Sequence, residues 1–427
     1  MNKICKTLLI CLMAFIASIC FVACGDTGNG GDNKPNYKVF GDDAYYTLVS
    51  YDGNEESVTI PAEYNGKPVG RIKKDAFSGN STIKTLVIPN SVEVIDKGAF
   101  AKMKGLENLT IPFVGNTKNA EATLNDNNVT GTDKSVNEAR TFGYLFSSAD
   151  YDGSIKVTQY FNDSTTTDNE GNVTPTGTFD CYLPENLKVV TVSPKDNGYL
   201  LPAYAFANNR LITKVVLTEK VKEIGEFAFA DCQRLNEIAI PSSVTDIHKY
   251  AFRGTRSLGD YNAETGKGLS FKENSSLVSI GDSAFAGAKF TSITLPDSVE
   301  KIGKFAFASI QTELTVSATG ASQLMEITLS KNLKEIGDYA FFMCEKLEKV
   351  NLHQDSQNLK IGVQAFAYCD SLSSFASNLA NTIDLTKVST LKATAFAFIE
   401  KDVQLKVIST LSSSVLDIAF VETNYSL

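Results

Sequence analysis

Histidine is nearly absent from this chain of 427 residues, since only His248 and His353 occur and they lie far apart. Two separated histidines can supply neither a metal triad nor a base for a nucleophile. The 49 acidic residues offer many carboxylate pairs of the glycosidase type, but no pair is distinguished from the others. The sequence therefore predicts a protein that is not an enzyme and holds no metal or cofactor.

Positive charge is also in short supply. The formal net charge is −9, and loss of residues 1–24 would remove two lysines and no acid, leaving −11. Non-specific binding to nucleic acid or to an anionic lipid surface needs basic patches. The balance disfavours both kinds of partner, and we interpret the acidity as a means of staying soluble.

What the chain does contain is an apolar pattern with a fixed period of 23 residues, clearest between residues 211 and 252. The matching positions are Ile212/Leu235, Val215/Ile238, Leu217/Ile240, Val221/Val244, Ile224/Ile247, Ala228/Ala251 and Phe229/Phe252. A period in the twenties is typical of a solenoid, in which one unit cannot bury its apolar face without a neighbour.

A single repeat predicts a short strand followed by a return. Ile238 and Ile240 alternate as in a half-buried strand, and Pro241 ends it because proline cannot donate to a ladder. The pair Ala251-Phe252 closes the unit, with a small residue beside a ring that fills the interior. Stacked copies would place like strands side by side in a parallel sheet.

The sequence motif of these units resembles that of the BspA-type leucine-rich repeat family of bacterial surface proteins. The shared motif is Leu-x-x-Ile-x-Ile-Pro, then Ser-Val-x-x-Ile-Gly, then Ala-Phe, then Cys-x-x-Leu, and it covers about residues 58–396. The resemblance implies a curved leucine-rich-repeat solenoid, mainly β, with short helical or irregular returns. It also implies cell-surface interaction or adhesion, and no catalytic residues.

Residues 1–24 have the parts of a bacterial signal peptide. Lys3 and Lys6 precede an apolar run of about 15 residues, which is short for a membrane span of about 20. The run ends at a small residue before Cys24, so the segment resembles a lipoprotein signal, although Phe21 stands where such signals usually have leucine. The resemblance implies an exported protein that is held to a membrane only by a lipid on Cys24. Ordinary cleavage and release is the alternative.

The rest of the chain divides by its pattern. Residues 25–33 are small and polar, and residues 25–42 are predicted to be a flexible tether. Residues 43–427 form the solenoid, whose predicted parts are an N-terminal cap with the first half-repeat at 43–80, an insertion at 113–203 and a C-terminal cap at 397–427.

Within these parts, three local structures are predicted. In the cap, residues 44–51 are expected to pair with 57–60 as a hairpin. In the insertion, residues 155–161 and 178–183 alternate and predict a hairpin that projects from the solenoid, while 142–146 is interpreted as the displaced aromatic half of the interrupted repeat. The glycine-rich residues 253–272 are interpreted as a loop.

Cysteine is too sparse after the signal segment for a disulfide scaffold, and no Cys-x-x-Cys pair supports a zinc site. Cys232, Cys344 and Cys369 each stand three residues before a repeated leucine, which favours small buried side chains. Because Cys344 and Cys369 lie in adjacent repeats of an exported protein, a disulfide between them is the alternative. Residues 168–172 faintly resemble a calcium loop but lack its ligand pattern, so a hairpin turn is predicted.

The outward strand positions are the candidate interaction face. They are Thr85, Asn108, Thr110, Lys214, Glu237, Ser292, Thr294, Glu326, Thr328, Lys349 and Asn351, together with Val87, Val216 and Ala239. Sugar platforms and single-strand nucleic-acid platforms use exposed aromatic rings, and this face has none. Tyr151 and Tyr160 of the insertion are an alternative contact point if they are exposed.

The favoured function is a surface protein whose solenoid binds a protein of a host or a neighbouring cell. The alternative is a glycan-binding module that captures polysaccharide. Exposed aromatic residues gathered on one face would favour the glycan alternative, and two close carboxylates in a deep pocket would indicate an enzyme.

Overall fold

The structure is a computed structural model that describes residues 37–41, 44–118, 137–167, 173–309, 321–376, 381–407 and 411–426. These residues belong to one compact unit, Pro35–Leu427. The predicted signal segment, Cys24 and tether residues 25–36 and 42 lie outside the described residues, whereas residues 37–41 of the predicted tether form a strand.

The regular elements are short strands with few helical turns. The strands before the insertion are β1 (Tyr37–Gly41), β2 (Tyr46–Tyr51), β3 (Ser57–Thr59), β4 (Glu63–Tyr64), β5 (Lys67–Ile72), β6 (Thr85–Val87), β7 (Val94–Ile95) and β8 (Asn108–Ile111). The next are β9 (Ser154–Thr167), β10 (Val173–Pro184), β11 (Val189–Val192), β12 (Tyr199–Leu201), β13 (Lys214–Leu217), β14 (Val221–Ile224), β15 (Glu237–Ile240), β16 (Asp246–Ile247), β17 (Gly268–Phe271) and β18 (Ser279–Ile280). The last are β19 (Ser292–Thr294), β20 (Lys301–Ile302), β21 (Glu326–Thr328), β22 (Glu335–Ile336), β23 (Lys349–Asn351), β24 (Leu359–Ile361), β25 (Ser374–Phe375), β26 (Thr382–Asp384), β27 (Val388–Leu391), β28 (Val403–Lys406) and β29 (Tyr425–Ser426). A 3-10 helix spans Phe142–Leu145, and helix α1 spans Ser413–Ala419.

Like strands of successive units pair in parallel, as the period predicts. Lys214 of β13 is the partner of Glu237 of β15, and Val215 is the partner of Ile238. One sheet runs β17-β15-β13-β11-β8-β6-β3, and a second of the same kind runs β19-β21-β23-β25-β26-β28-β29. The shorter strands of each unit form a separate sheet, β12-β14-β16-β18-β20-β22-β24-β27. The leucine-rich-repeat solenoid, mainly β, is confirmed.

The remaining side of each unit is closed by a hydrogen-bond ladder outside the sheets. In the regular units the amide of the repeated phenylalanine donates to the carbonyl of the alanine of the next unit, as from Phe229 to Ala251 at 2.7 Å and from Phe252 to Ala284 at 2.7 Å. The repeated Ala-Phe pair therefore supplies both an acceptor and a buried ring.

The phenylalanine rings form a stacked column inside the solenoid. Phe252 is fully buried between Phe229, at 5.0 Å between ring centroids, and Phe285, at 5.2 Å. The planes of these neighbours differ by 13° and 5°. Since each unit adds one ring, no unit buries its own phenylalanine without its neighbours.

The interrupted repeat still contributes to this column, so the displaced aromatic half is confirmed. Phe100 donates its amide to Leu145, and Phe142 donates to Ala205 at 2.8 Å. Phe146 lies 5.9 Å from Phe100, and Phe142 lies 5.0 Å from Phe206. The 3-10 helix thus joins the units before and after the insertion.

The insertion hairpin is confirmed as an antiparallel pair of β9 and β10. The base of the hairpin packs against the solenoid, and the side chain of Gln159 is fully buried there. The Gln159 side chain accepts from the amide of Gly143 at 2.7 Å and donates to the carbonyls of Ala205 at 2.9 Å and Tyr204 at 3.3 Å. A hairpin side chain therefore replaces backbone contacts that a regular unit would supply.

The predicted pairing of residues 44–51 with 57–60 is wrong. Strand β2 pairs with β1 and β5, whereas β3 joins β6 in another sheet. The amide of Tyr51 donates to Ala76, and its ring lies 5.7 Å from that of Phe77. Tyr51 therefore occupies the phenylalanine position of a preceding half-unit, which explains why its strand lies on a different side from β3.

Part of the predicted loop at 253–272 is also a strand. β17 pairs with β15, and Leu269 is the partner of Ile238. The unit is therefore complete, with extra residues between Leu258 and Leu269. These extra residues separate the buried leucine from the strand of the same unit. The strand therefore does not appear at the spacing that the period predicts.

At the other end, β28 and β29 continue the last sheet, and α1 leads into Phe420, which stacks on Phe396 at 5.1 Å. That residues 43–80 and 397–427 act as caps stays a prediction. Among the described residues, no helix is both long and apolar enough to cross a membrane.

Candidate functional site

The predicted outward strand positions lie in register within two parallel sheets, and we call these positions together the strand face. In register, Thr85 is the partner of Asn108, and Glu326 is the partner of both Ser292 and Lys349. Sequence reasoning missed further members of this face, because their units depart from the pattern. They are Thr191 on β11, Asp384 on β26 and Lys406 on β28.

Polar groups of the strand face pair largely with one another. Lys214 contacts Glu237, and Lys349 lies 3.3 Å from Glu326. Asn351 donates to Glu326 at 2.6 Å, and this hydrogen bond, followed by Lys349, lowers the pKa of the Glu326 carboxyl. Because these pairs are partly exposed, each contributes little to stability. The face is shallow and its charges are largely matched within the chain.

A second aromatic ladder lies outside the buried phenylalanine column, and sequence reasoning missed it. Tyr204, Phe227 and Tyr250 each stand two residues before a column phenylalanine, with a positive φ of 60°, 55° and 59°. This backbone turns the side chain away from the column. Their rings stack at 4.8 Å and 4.5 Å between centroids.

The insertion hairpin covers this part of the ladder. Tyr160 of β9 packs against the cluster that contains Tyr204, Phe227 and Tyr250, and those three rings are at most 6% exposed. Asn208, beside the ladder, donates to the carbonyl of Thr158 at 2.6 Å. Tyr160, an aromatic side chain on a strand of the same chain, therefore covers this part of the ladder.

Farther along, the ladder continues, and none of the described residues covers it with an aromatic side chain on a strand. We call the group Phe305, Tyr339, Phe342, Tyr368 and Phe398 the open aromatic segment. All five are half-buried, in contrast to the covered rings upstream. Phe305 stacks on Tyr339 at 4.7 Å and Tyr368 on Phe398 at 4.5 Å.

Phe342 joins these two stacks, since its ring lies nearly perpendicular to Tyr339 at 5.6 Å and to Tyr368 at 5.5 Å. The apolar surface extends to Val421, which is 37% exposed and accepts from the amide of Phe398, and to Ile418, which is 54% exposed. An apolar strip therefore crosses several units on the outer side.

Ring orientation limits what this strip can bind. Phe305 and Tyr339 differ by 18° in plane, and Tyr368 and Phe398 by 7°. At this spacing each paired ring covers one face of its neighbour, and Lys304 Nζ lies over the rings of Phe305 and Tyr339 at 5.2 and 5.5 Å. A sugar ring binds best over an open aromatic face, so the stacks favour an irregular apolar partner.

The two tyrosines considered as an alternative contact point are not free side chains. Tyr160 is half-buried in the contact just described, and Tyr151 is also half-buried. Burial raises the pKa of both hydroxyl groups. Neither offers the exposed ring that the prediction required.

The four cysteines in the described residues are free and buried. Three of them donate to a phenylalanine carbonyl in the preceding unit: Cys232 to Phe206, Cys344 to Phe307 and Cys369 to Phe341. Burial raises the pKa of all four thiols, to about 12 for Cys344, so none is prepared as a nucleophile. The structural interpretation holds, with Cys344 and Cys369 as separate thiols.

His248 is exposed, as predicted, and lies 2.8 Å from Glu223. Within the described ranges, no group of three or more His, Cys, Asp or Glu side chains could hold a metal ion. Residues 168–172, which were compared with a calcium loop, lie outside those ranges.

The sequence matches the family profile described as a BspA type leucine rich repeat region, in six copies, over residues 51–147, 199–268, 264–318 and 278–409. Because the match covers more than half of the chain, the protein belongs to the BspA-type leucine-rich repeat family.

Several crystal structures are similar along most of their length. A leucine-rich repeat protein from Bacteroides ovatus is 19% identical, covering 93% of this chain and 99% of that one, with a TM-score of 0.36. A leucine rich cell surface protein from Faecalibacterium prausnitzii is 18% identical over 93% and 99%, with a TM-score of 0.29. The pneumococcal vaccine antigen PcpA is 15% identical over 93% and 97%, with a TM-score of 0.33. None of the curated proteins matches this sequence.

Proposed function

We propose that this protein is a non-enzymatic, exported lipoprotein, anchored through Cys24, whose solenoid binds a protein of a host or a neighbouring cell. Membership in a family of repeat proteins supports a binding role. The basic start, short apolar run and cysteine of residues 1–24 support export and lipid attachment.

The observation that carries the binding proposal is the contrast between the covered and the open parts of the outer ladder. Upstream, a strand-borne tyrosine covers stacked rings, whereas the open aromatic segment presents the same kind of surface with half-buried rings. Contiguous apolar surface of this kind is typical of a protein interaction site. The partner is a protein that places an aromatic side chain on an extended segment, as Tyr160 does within this chain.

The strand face is proposed as a second, weaker contact surface. Its matched charges can set orientation, but a shallow polar surface offers no apolar anchor. Capture of polysaccharide by a glycan-binding module stays the alternative function. The open aromatic segment gives it little support, because its stacked rings cover one another.

Binding of the purified full-length chain to a panel of host matrix proteins and to a glycan array tests this proposal. Phe342→Asp should weaken binding to any protein ligand at least tenfold, because a central aromatic contact typically costs about 2 kcal/mol or more when lost. Tyr261→Asp is the matched control, since Tyr261 is 53% exposed and outside the open aromatic segment. Thermal melts of both variants verify that they fold.

A strand-face variant separates the two surfaces. Glu326→Ala with Lys349→Ala should change protein binding less than threefold. If this pair abolishes binding and Phe342→Asp does not, the contact surface is the strand face. A strong glycan signal with no protein bound would overturn the proposed function.

A further inference from the structure

Arginine is concentrated in one region of this acidic protein. Of the six arginines in the chain, four lie between residues 210 and 256. We call Arg210, Arg234, Arg253 and Arg256 the arginine ridge. Residues 210–256 carry eight lysines and arginines against six acids, a small positive excess in a chain of net charge −9.

The repeat places these side chains in line. Arg210, Arg234 and Arg256 each follow the column phenylalanine of their unit by four or five residues, in three consecutive units. Backbone bonds from Asn208 to Ala230 and from Asp231 to Arg253, both 2.7 Å, connect the turns that carry them. Neighbouring strands lie about 4.8 Å apart, so the ridge presents roughly one cation per 5 Å along the solenoid.

Lysines extend the ridge, and the nearby arginine charges lower their pKa values. Lys289 follows Phe285 by four residues in the next unit, and its pKa is lowered by burial and by the charges of Arg256 and Lys346. Burial and Arg234 lower the pKa of Lys188. Charges of one sign gathered on a surface raise the local concentration of ligands of the opposite sign.

Little within the described part of the chain neutralises the ridge. Arg234 and Arg256 are exposed, and in that part neither forms an ion pair. Asp231 is the acid nearest to the arginines and is half-buried; burial raises the pKa of its carboxyl while Arg253, Arg256 and Arg210 lower it. Glu185 is a second acid, beside Lys188, and these two carboxylates cannot balance four guanidinium groups and two lysines.

The surroundings of the ridge favour a charged ligand over an apolar one. The rings beside it, Tyr204, Phe227 and Tyr250, are already covered by the hairpin, and Arg210 hydrogen-bonds the Tyr160 hydroxyl. A protein partner would find no apolar anchor there. Guanidinium groups bind carboxylate and sulfate through paired hydrogen bonds, which suits a linear chain with an acidic group on each sugar.

We propose that the arginine ridge is a binding site for an acidic polysaccharide, a chain of uronic or sulfated sugars that lies along the solenoid axis. This inference does not rest on the proposed protein-binding function, because the ridge and the open aromatic segment share no residue.

Retention of the purified full-length chain on immobilised heparin and polygalacturonate tests the inference, with affinities measured over a range of salt concentrations. The double variant Arg234→Glu with Arg256→Glu should bind at least tenfold more weakly and show a shallower salt dependence, because fewer counterions are released. The control is Lys222→Glu with Lys360→Glu, which makes the same charge change at exposed positions of the short-strand sheet. That control should stay within twofold of the original chain, and thermal melts verify the fold of both doubles.

Three outcomes would overturn the inference. The first is no retention on either polysaccharide. The second is equal weakening by both double variants, which would mean that net charge alone governs binding. The third is tighter binding to poly-glutamate or to a DNA duplex than to either polysaccharide, which would assign the ridge to another class of polyanion. Phe342→Asp should leave polysaccharide retention unchanged, which separates this result from the protein-binding test.

Discussion

Replacing Phe252 by alanine is expected to lower the free energy of unfolding by about 3–5 kcal/mol, the usual range for a fully buried phenylalanine. The ring is fully buried and stacks on Phe229 and Phe285, so its loss leaves a cavity that faces two neighbouring units. Urea unfolding followed by circular dichroism measures the change. The backbone ladder at this position can remain, because alanine keeps the amide that donates to Ala284.

The matched control is Tyr261→Ala, which removes an aromatic ring that is 53% exposed. It should change the free energy of unfolding by no more than about 0.5 kcal/mol, as is usual for surface substitutions. An equal loss for the two variants, or no loss for Phe252→Ala, would contradict the role of the phenylalanine column.

Replacing Gln159 by methionine is expected to lower the free energy of unfolding by about 3 kcal/mol. Methionine keeps a side chain of similar length but cannot bond Gly143, Ala205 or Tyr204. Each buried polar group left without a partner costs about 1–3 kcal/mol. The amide of Gly143 would lose the side-chain acceptor that Gln159 provides, so the hairpin should loosen from the solenoid.

Thr158→Ala is the control for this prediction. Its hydroxyl donates to Asp180 across the exposed side of the same hairpin, at 2.7 Å. Its loss should cost less than about 1 kcal/mol, since the bond is exposed to water. Limited proteolysis adds a local readout, because Gln159→Met should expose the hairpin to cleavage while Thr158→Ala should not. Unchanged stability of the methionine variant would mean that the hairpin is not held by this side chain.

Much of the fold could be predicted because each regular unit repeats the same physical requirements. A strand position such as Ile238 must be apolar to face the core, and the alanine before Phe252 must be small beside a stacked ring. These requirements recur at a fixed spacing, so they are visible in the sequence as a periodic pattern of apolar residues. The interrupted repeat was recognised for the same reason, since Phe142 and Phe146 still fill the column.

Features that depend on geometry outside the repeat could not be predicted. Gln159 is a polar residue on an alternating strand, and nothing in its neighbours shows that it is buried. The sequence likewise could not show that Tyr51 completes a half-unit. Its partner Phe77 lies outside the segment that the predicted hairpin would place beside Tyr51.

The outer aromatic ladder was missed for a further reason. Its members stand two residues before, one residue after or two residues after a column phenylalanine, as in Tyr339, Phe342 and Tyr368. No single period relates them, and their exposure depends on left-handed backbone positions and on where the hairpin lies. The predicted strand face, in contrast, followed from simple alternation, and its members are in register within each of two sheets.

Amide hydrogen exchange along the native chain tests most directly the central claim that one hydrogen-bonded stack continues through the insertion. The account predicts that the amides of Phe142 and Gly143 are protected as strongly as those of Phe229 and Phe252, because their acceptors are Ala205 and Gln159. Exchange at Phe142 and Gly143 that is orders of magnitude faster than at Phe252 would show that the stack is broken there, and would contradict the account.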